Sequence, residues 1–210
     1  MLKDTSGHQT GQIPFSQELW RKGTHIGALI IPGSYYALGL SISQMLAIMI
    51  PVTLLMLVID ISRLRQWAFW RRIAAPIGGR MIRGHEQAGD FTGATYILIS
   101  VCFTVAMYTK PVAIAALTFI IVGDTLAALV GRRFGRHRFG RKSVEGSLAC
   151  LAGTLLVAVL VPDLALPVAL FGAVVAAITE ALSTRIDDNI SVPIVSGLAM
   201  TLLSRILFSI

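Results

Sequence analysis

Residues 111–146 have the sequence PVAIAALTFIIVGDTLAALVGRRFGRHRFGRKSVEG, in which a long apolar run ends in a dense block of cations. The apolar part, residues 111–130, is long enough to cross the hydrocarbon core of a bilayer as one helix. Asp124 lies near its end, where an unpaired carboxylate costs roughly 3 kcal/mol. The stretch therefore predicts a membrane-spanning helix with a functional carboxylate close to one membrane surface.

Small residues share the predicted helix face of Asp124. Ala127, Ala128 and Gly131 follow it at spacings of three, four and seven residues, so a ligand or a neighbouring helix could approach the carboxylate closely. Glycines and cations then alternate, which predicts a flexible basic loop over residues 131–145 suited to phosphate oxygens. The loop residues concerned are Gly131, Gly135, Gly140, Arg132, Arg133, Arg136, Arg138, Arg141 and Lys142.

A second helix is expected directly after this loop. Ser143 can cap its N-terminus, and Glu145 lies in its first turn. Carboxylates, a glycine-rich basic loop and a lysine are together the groups that a metal-bound polyphosphate requires. The simpler interpretation is that an arginine-rich loop only marks the cytoplasmic side of a membrane protein.

The composition is that of an integral membrane protein. The chain has 210 residues, of which 55% are hydrophobic and 14% charged, and its mean hydropathy is +0.74. The net charge of +7 comes from clustered cations, which indicates contacts with membrane lipids and anions. Because no nucleic-acid-binding motif appears, we expect no nucleic-acid partner. Cys102 and Cys150 lie in apolar runs and show neither disulfide nor zinc spacing.

The apolar runs predict an all-α, polytopic membrane protein with about seven transmembrane helices in a single domain, residues 1–210. Residues 1–15 are expected to be loosely ordered, and the first twenty residues do not resemble a cleaved signal peptide. Six spans are the alternative count. The predicted spans are residues 25–40, 43–61, 92–108, 111–130, 146–161, 164–183 and 193 to the C-terminus.

The longest polar interval, residues 62–90, is predicted to be a cytoplasmic interfacial segment. Trp67, Trp70, Ile73 and Ile77 recur at helical spacing among arginines, which is typical of a basic amphipathic helix in the headgroup layer. Asp60 ends the preceding run, and we expect its side chain to snorkel to the interface.

Positive charges predict the orientation. With the N-terminus in the cytoplasm, the cytoplasmic segments hold sixteen of the eighteen Lys and Arg residues, leaving Lys110 and Arg205. The same topology places every polar motif of the chain on the cytoplasmic side. One composite site thus becomes possible there, containing Lys142 and the acids Asp124, Glu145, Glu180, Asp187 and Asp188.

Oxygen ligands of this kind suit Mg²⁺, which shares them with substrate phosphates, while Lys and Arg neutralise phosphate charge. A carboxylate or His25 could accept the proton of an attacking hydroxyl. Two alternatives stay open. The Asp187–Asn189 triplet is also a common helix cap, and acids in a membrane protein can line the path of a small ion-coupled transporter.

Four segments resemble, in this order, the motifs of the polyprenol kinase family, which includes dolichol kinases, phytol kinases and CTP-dependent diacylglycerol kinases and is distantly similar to the phosphatidate cytidylyltransferases. The segments are ELWRKGTHIG at 18–27, RGHEQAGDFTGAT at 83–95, GDTLAALVGRRFGRHRFGRKSVEGS at 123–147 and TEALSTRIDDNISVP at 179–193.

The resemblance implies an intramembrane enzyme that uses CTP and Mg²⁺ to phosphorylate a lipid alcohol at the cytoplasmic face of the membrane, the inner membrane in a prokaryote. The alternative within this likeness is a cytidylyltransferase that makes a CDP-lipid, and by the same likeness a homodimer is plausible. The implied nucleotide and metal residues are Asp124, Lys142, Glu145, Asp187, Asp188 and Asn189, and Arg21, Lys22, His25, Arg83 and Glu86 complete the pocket. Gly131, Gly135, Arg141, Ser143 and Glu180 are further candidate substrate-binding residues, and Asp124, Asp187 and Asp188 are the candidate metal ligands.

Overall fold

The computed structural model describes residues 15–68, 70–74, 89–183 and 187–208. Within these ranges the chain is helical apart from turns and one two-stranded hairpin, so the predicted all-α class is confirmed. The helices are α1 Phe15–Gly27, α2 Ile30–Ala37, α3 Ile42–Leu64, α4 Gly93–Met107, α5 Lys110–Phe134, α6 Val144–Leu160, α7 Leu166–Leu182 and α8 Asp188–Phe208, with a π-helical turn at Trp70–Ala74.

Among the described residues, three helices, α3, α5 and α8, are long and apolar enough to cross a membrane by length and composition, and α4, α6 and α7 are shorter apolar helices. The first predicted run, residues 25–40, is divided between α1 and α2 by a turn at Ala28 and Leu29. Pro32 explains the division, since its ring clashes with the carbonyl four residues earlier, that of Ala28. The expectation of one uninterrupted first helix is therefore wrong, and the count of seven spans stays a prediction.

Helix α5 lies at the centre of the bundle. In its most apolar 18-residue window 67% of the residues are buried, against 11% for α3. It contacts α1, α2, α4, α6, α7 and α8, and small residues such as Ala113, Ala115 and Ala116, all fully buried, allow this close packing. Helix α3 instead exposes Leu54 and Leu55, as expected for a helix that faces lipid. Asp124 thus projects from the element around which the other helices are arranged.

The basic segment after α5 is more ordered than predicted. Helix α5 continues to Phe134, so Gly131, Arg132 and Arg133 are helical. A short antiparallel hairpin follows, with β1 Arg138–Phe139 paired to β2 Lys142–Ser143 and its turn at Gly140, whose φ is +61°. The flexible loop expected over residues 131–145 is therefore a helix end and a hairpin.

Helices α5 and α6 make close backbone contact below this hairpin. A Cβ added to Gly146 would lie 2.7 Å from the Ala127 carbonyl oxygen and 3.2 Å from the Gly131 Cα. The Ser143 hydroxyl accepts a hydrogen bond from the Gly146 N–H at 3.1 Å, so Ser143 caps α6 as predicted. Glycine at positions 131 and 146 therefore allows the close packing of α5 against α6.

Asp60 does not snorkel to the interface, because it is only 1% exposed. One carboxylate oxygen accepts hydrogen bonds from the Thr92 N–H at 2.8 Å and from the Thr92 and Thr95 hydroxyls at 2.9 and 2.6 Å. The other oxygen accepts from the Arg63 Nε at 3.0 Å. This network, the Asp60 network, joins the end of α3 to the start of α4.

The predicted interfacial helix is covered only in part by the described residues. Trp67 is 47% exposed, and Arg71 and Arg72 are exposed on the π-helical turn. The remainder of the segment, residues 75–88, and the N-terminal residues 1–14 lie outside the described ranges, so these two predictions stay open.

Candidate active site

The carboxylate of Asp124 is paired with Lys22, 102 residues away in the sequence. The Lys22 ammonium on α1 donates to the Asp124 carboxylate and, at 3.1 Å, to the Asp124 carbonyl oxygen. Lys22 is 1% exposed and Asp124 7%. Burial lowers the pKa of the Lys22 ammonium, and the Asp124 and Asp188 carboxylates oppose this by stabilising its charged form. The pair fixes α1 against the part of α5 that carries Asp124.

His25 lies one turn after Lys22 on α1. Its Nε2 is 3.4 Å from a carboxylate oxygen of Asp124, and this nitrogen is buried without a hydrogen-bond partner. Burial disfavours the imidazolium form of His25, and the neighbouring Asp124 carboxylate opposes this by stabilising the positive charge that proton binding creates. The geometry therefore suits proton transfer at the Asp124 carboxylate.

A second lysine–carboxylate pair joins the hairpin to the two last helices. Lys142 on β2 donates to the carboxylate of Glu180 on α7 at 2.5 Å and to the Glu180 carbonyl oxygen. Its ammonium also lies 3.7 Å from a carboxylate oxygen of Asp188, in the first turn of α8. Glu180 is 4% exposed, so its charge depends on Lys142 for compensation.

The two lysine–carboxylate pairs belong to one polar region. Asp188, which contacts Lys142, also acts electrostatically on Lys22 in α1. The first, third and fourth sequence motifs therefore meet at one end of the bundle, on α1, α5, the hairpin, α7 and α8. We call this region the polar end, formed by Lys22, His25, Asp124, Lys142, Glu180 and Asp188.

Asp187 serves as the cap of α8. Its carboxylate oxygen accepts from the Asn189 N–H at 2.9 Å and from the Asn189 side-chain amide at 2.7 Å. The alternative interpretation of this triplet as a helix cap is thus correct for Asp187. The Asn189 Oδ1 and the Glu180 Oε2, in contrast, are buried acceptors to which no donor is assigned.

The remaining predicted site residues make other contacts or lie outside the described residues. Glu145 accepts from the His137 Nδ1 at 2.8 Å and from the His137 N–H at 3.2 Å, which holds the hairpin to the start of α6. Arg141 is exposed, whereas Gly131 and Gly135 pack against Ser143. Arg21 is half-buried next to Lys22. Arg83 and Glu86 lie outside the described residues.

The oxygen atoms of the polar end fit a magnesium ion. Within the described ranges, no group of three His, Cys, Asp or Glu side chains is close enough to form a protein-only metal cage. Mg²⁺ does not need such a cage, because it commonly takes one or two carboxylates and completes its shell with water and substrate phosphates. The Glu180 Oε2 and Asn189 Oδ1, both buried without donors, are ligands of the required type.

The Asp60 network was not anticipated from the sequence. The sequence does contain an indication of this network. Arg63 follows Asp60 by three residues at the end of an apolar run, so it could neutralise the carboxylate within one helix turn. A charged pair at this spacing predicts a buried contact as readily as an interfacial one. Arg63 also donates to the Asp90 carbonyl oxygen at 2.5 Å, so the network fixes the backbone that leads into α4.

Known proteins similar to this chain are kinases or have no stated activity. An uncharacterized protein of Rickettsia prowazekii is 29% identical over 92% of this chain and 98% of its own length. The CTP-dependent diacylglycerol kinase 1 of Saccharomyces cerevisiae is 23% identical over 90% of this chain and 74% of its own length. A probable chloroplastic phytol kinase 2 of Oryza sativa subsp. japonica is 28% identical over 58% of this chain and 48% of its own length. No protein-family model and no solved structure matches.

These similarities confirm the resemblance to the polyprenol kinase family. The proteins whose names state an activity are kinases of diacylglycerol and of phytol, at identities of 23% and 28%. Their names support a phosphotransferase associated with lipid.

Proposed function

With curated kinases of lipid alcohols as its relatives, we propose that this chain is a CTP-dependent lipid-alcohol kinase. It transfers the γ-phosphate of CTP to an isoprenoid alcohol or to diacylglycerol at the cytoplasmic face of the membrane. The observation that carries the proposal is the polar end, where Lys22, Asp124, Lys142 and Glu180 converge from four separate segments. Neither packing nor charge topology alone requires two lysine–carboxylate pairs beside each other in an apolar bundle.

The two lysines supply the charge that a triphosphate requires. Lys142, at the base of the hairpin, reaches phosphate oxygens by exchanging its contact with Glu180, and Lys22 adds positive charge beside Asp124. Ammonium groups in a water-poor site stabilise the negative charge of a transferring phosphoryl group more strongly than they would in water. The exposed arginines of the hairpin draw the nucleotide toward the surface electrostatically.

Proton transfer is assigned to the His25–Asp124 pair. The lipid hydroxyl attacks the γ-phosphorus, the bond from the γ-phosphorus to the bridging oxygen breaks, and CDP leaves with the electron pair of that bond. The hydroxyl proton passes to the His25 Nε2, 3.4 Å from the Asp124 carboxylate, which stabilises the imidazolium. When bound, Mg²⁺ would be held by carboxylates of the polar end and would neutralise phosphate charge.

The apolar helices supply the second substrate from the membrane. The exposed apolar faces of α3, α6 and α8 would keep the bundle in lipid, so a lipid alcohol can diffuse to the polar end in the plane of the bilayer. The site lies at one end of the bundle, which is where a headgroup hydroxyl and a water-soluble nucleotide can both reach it.

The proposal is tested by following a phosphate label placed at a known position of CTP. The purified chain in lipid nanodiscs is incubated with diacylglycerol or a polyprenol and with CTP labelled at the γ- or the α-phosphate. Kinase activity places the γ-label, and never the α-label, in the lipid product. Transfer of the α-label with release of pyrophosphate would show a CDP-lipid synthase instead. Ion flux in proteoliposomes without nucleotide turnover would show a transporter.

A further inference from the structure

The Lys142 ammonium lies between two carboxylates that belong to different helices. It is 2.5 Å from the Glu180 Oε1 on α7 and 3.7 Å from the Asp188 Oδ2 on α8. A single ammonium group thus contacts both carboxylates. A divalent cation in the position of this ammonium would attract the two carboxylates more strongly than a single positive charge does.

Two further oxygens in this region have no donor. The Glu180 Oε2 and the Asn189 Oδ1 are buried without a hydrogen-bond partner, and their residues are 4% and 3% exposed. A buried acceptor without a donor costs about 1–3 kcal/mol. Such atoms indicate a group that is bound during function, and carboxylate and amide oxygens suit a hard divalent cation.

Lys142 is better placed than Lys22 to give way to such a cation. The Lys142 side chain is 19% exposed and the Lys22 side chain 1%. Lys142 sits at the base of a hairpin that ends in the exposed Gly140 turn, and its four-carbon stem can redirect the ammonium without a change in the backbone.

We propose that Glu180 and Asp188 are ligands of a divalent cation and that Lys142 holds the position of this cation in the ligand-free protein. Binding of a polyphosphate exchanges the two charges. The ammonium moves onto phosphate oxygens, and the cation takes up the carboxylates together with those phosphates. The inference rests on the proposed function only for the identity of the polyphosphate.

The test measures metal binding directly, without turnover. Mn²⁺ is titrated into the purified full chain in detergent, with no nucleotide, and free Mn²⁺ is followed by its electron paramagnetic resonance signal. Lys142→Met should tighten Mn²⁺ binding about tenfold, since the competing ammonium is removed and two carboxylates are left for the cation. Glu180→Gln and Asp188→Asn should weaken it about tenfold, while Asp163→Asn, in an exposed turn, should leave it unchanged.

Unchanged or weaker Mn²⁺ binding by a folded Lys142→Met variant overturns the inference. If that variant does not fold, the inference is tested by the Mn²⁺ affinity of the unsubstituted chain. The β,γ-methylene analogue of CTP should raise its Mn²⁺ affinity, and Glu180→Gln should remove this rise. An equal rise in the Glu180→Gln variant also overturns the inference. Because no arm measures phosphoryl transfer, failure of the proposed kinase activity would be seen separately, in the label experiment.

Discussion

At the scale of single residues, the polar end depends on charges that neutralise one another across long sequence distances. Lys22 and Asp124 are both buried and hold each other's charge. Removal of one member of a buried ion pair leaves the other uncompensated and costs about 3–5 kcal/mol, whereas removal of both can be nearly neutral. Loss of stability and loss of chemistry can therefore be separated at this pair.

Asp124→Asn should lower the thermal stability of the protein, because the buried Lys22 ammonium loses its partner. It should also lower kcat by at least about a hundredfold, the typical contribution of a group that assists proton transfer. Combination with Lys22→Met should restore stability, because both charges are gone, but not turnover. Differential scanning fluorimetry in detergent and a γ-phosphate transfer assay measure the two effects. Full activity of folded Asp124→Asn would remove this residue from the mechanism.

His25→Gln tests the proton acceptor. The amide preserves much of the volume of the imidazole but cannot bind a proton, so kcat should fall roughly a hundredfold or more. Nucleotide affinity should stay within about threefold, because His25 is not assigned a phosphate contact. Steady-state kinetics with CTP separates the two parameters. A rise in KM at unchanged kcat would instead assign His25 to binding.

At the scale of helices, much of the fold could be predicted, because long apolar runs identify helices well. The predicted run 146–161 corresponds to α6 at Val144–Leu160, and the run 111–130 lies inside α5. The predicted helix bounds are wrong where a proline interrupts a helix or is accommodated inside one. Pro32 divides the first run, whereas Pro193 is accommodated inside α8, which therefore begins five residues earlier than predicted.

The partners of the charged side chains could be predicted less well. Helices that are apolar on all sides do not indicate which face meets which neighbour, so the contact between Lys22 and Asp124 is invisible in the periodicity. The distribution of positive charges predicted these residues on one membrane side but gave no pairing. Asp60 was predicted at the interface because two of its hydrogen-bond donors, Thr92 and Thr95, lie more than thirty residues away in the sequence.

The Asp60 network should stabilise the junction between α3 and α4. Thr95→Val removes one hydroxyl donor to the Asp60 carboxylate at nearly constant volume, and we expect a loss of about 1.5–3 kcal/mol, the usual range for a hydrogen bond to a charged group. Thr118→Val is the matched control, since the Thr118 hydroxyl donates only to the Ile114 carbonyl of its own helix. Thermal unfolding in detergent compares them, and equal small effects would contradict a special role of the network.

The close contact of α5 with α6 at Gly146 should make this position sensitive to a larger side chain. In Gly146→Ala the new methyl group would lie 2.7 Å from the Ala127 carbonyl oxygen and 3.2 Å from the Gly131 Cα. Because both of these are backbone atoms of α5, the two helices must move apart. We expect a loss of about 1–3 kcal/mol. Gly33→Ala in α2, with no atom within 4 Å, should be neutral or slightly stabilising in the same melting experiment. A neutral Gly146→Ala would show that the two helices separate easily.

At the scale of the whole molecule, the arginine distribution predicts which membrane side holds the polar end. In a chain whose Cys102 and Cys150 are replaced by serine, a single cysteine is introduced by Arg138→Cys in the hairpin or by Asp163→Cys in the turn between α6 and α7. Both positions are exposed. With the N-terminus in the cytoplasm, a membrane-impermeant maleimide added outside intact cells should label the second and spare the first until lysis. The reverse pattern would overturn the orientation.

The tip of the hairpin offers a practical handle. The Gly140 turn is exposed and no atom lies within 4 Å of the position where its Cβ would be, although the base of the same hairpin is tightly packed around Ser143. Exposed turns of this kind tolerate added peptide. An epitope or a split-fluorescent-protein fragment inserted there would make the protein visible in living cells.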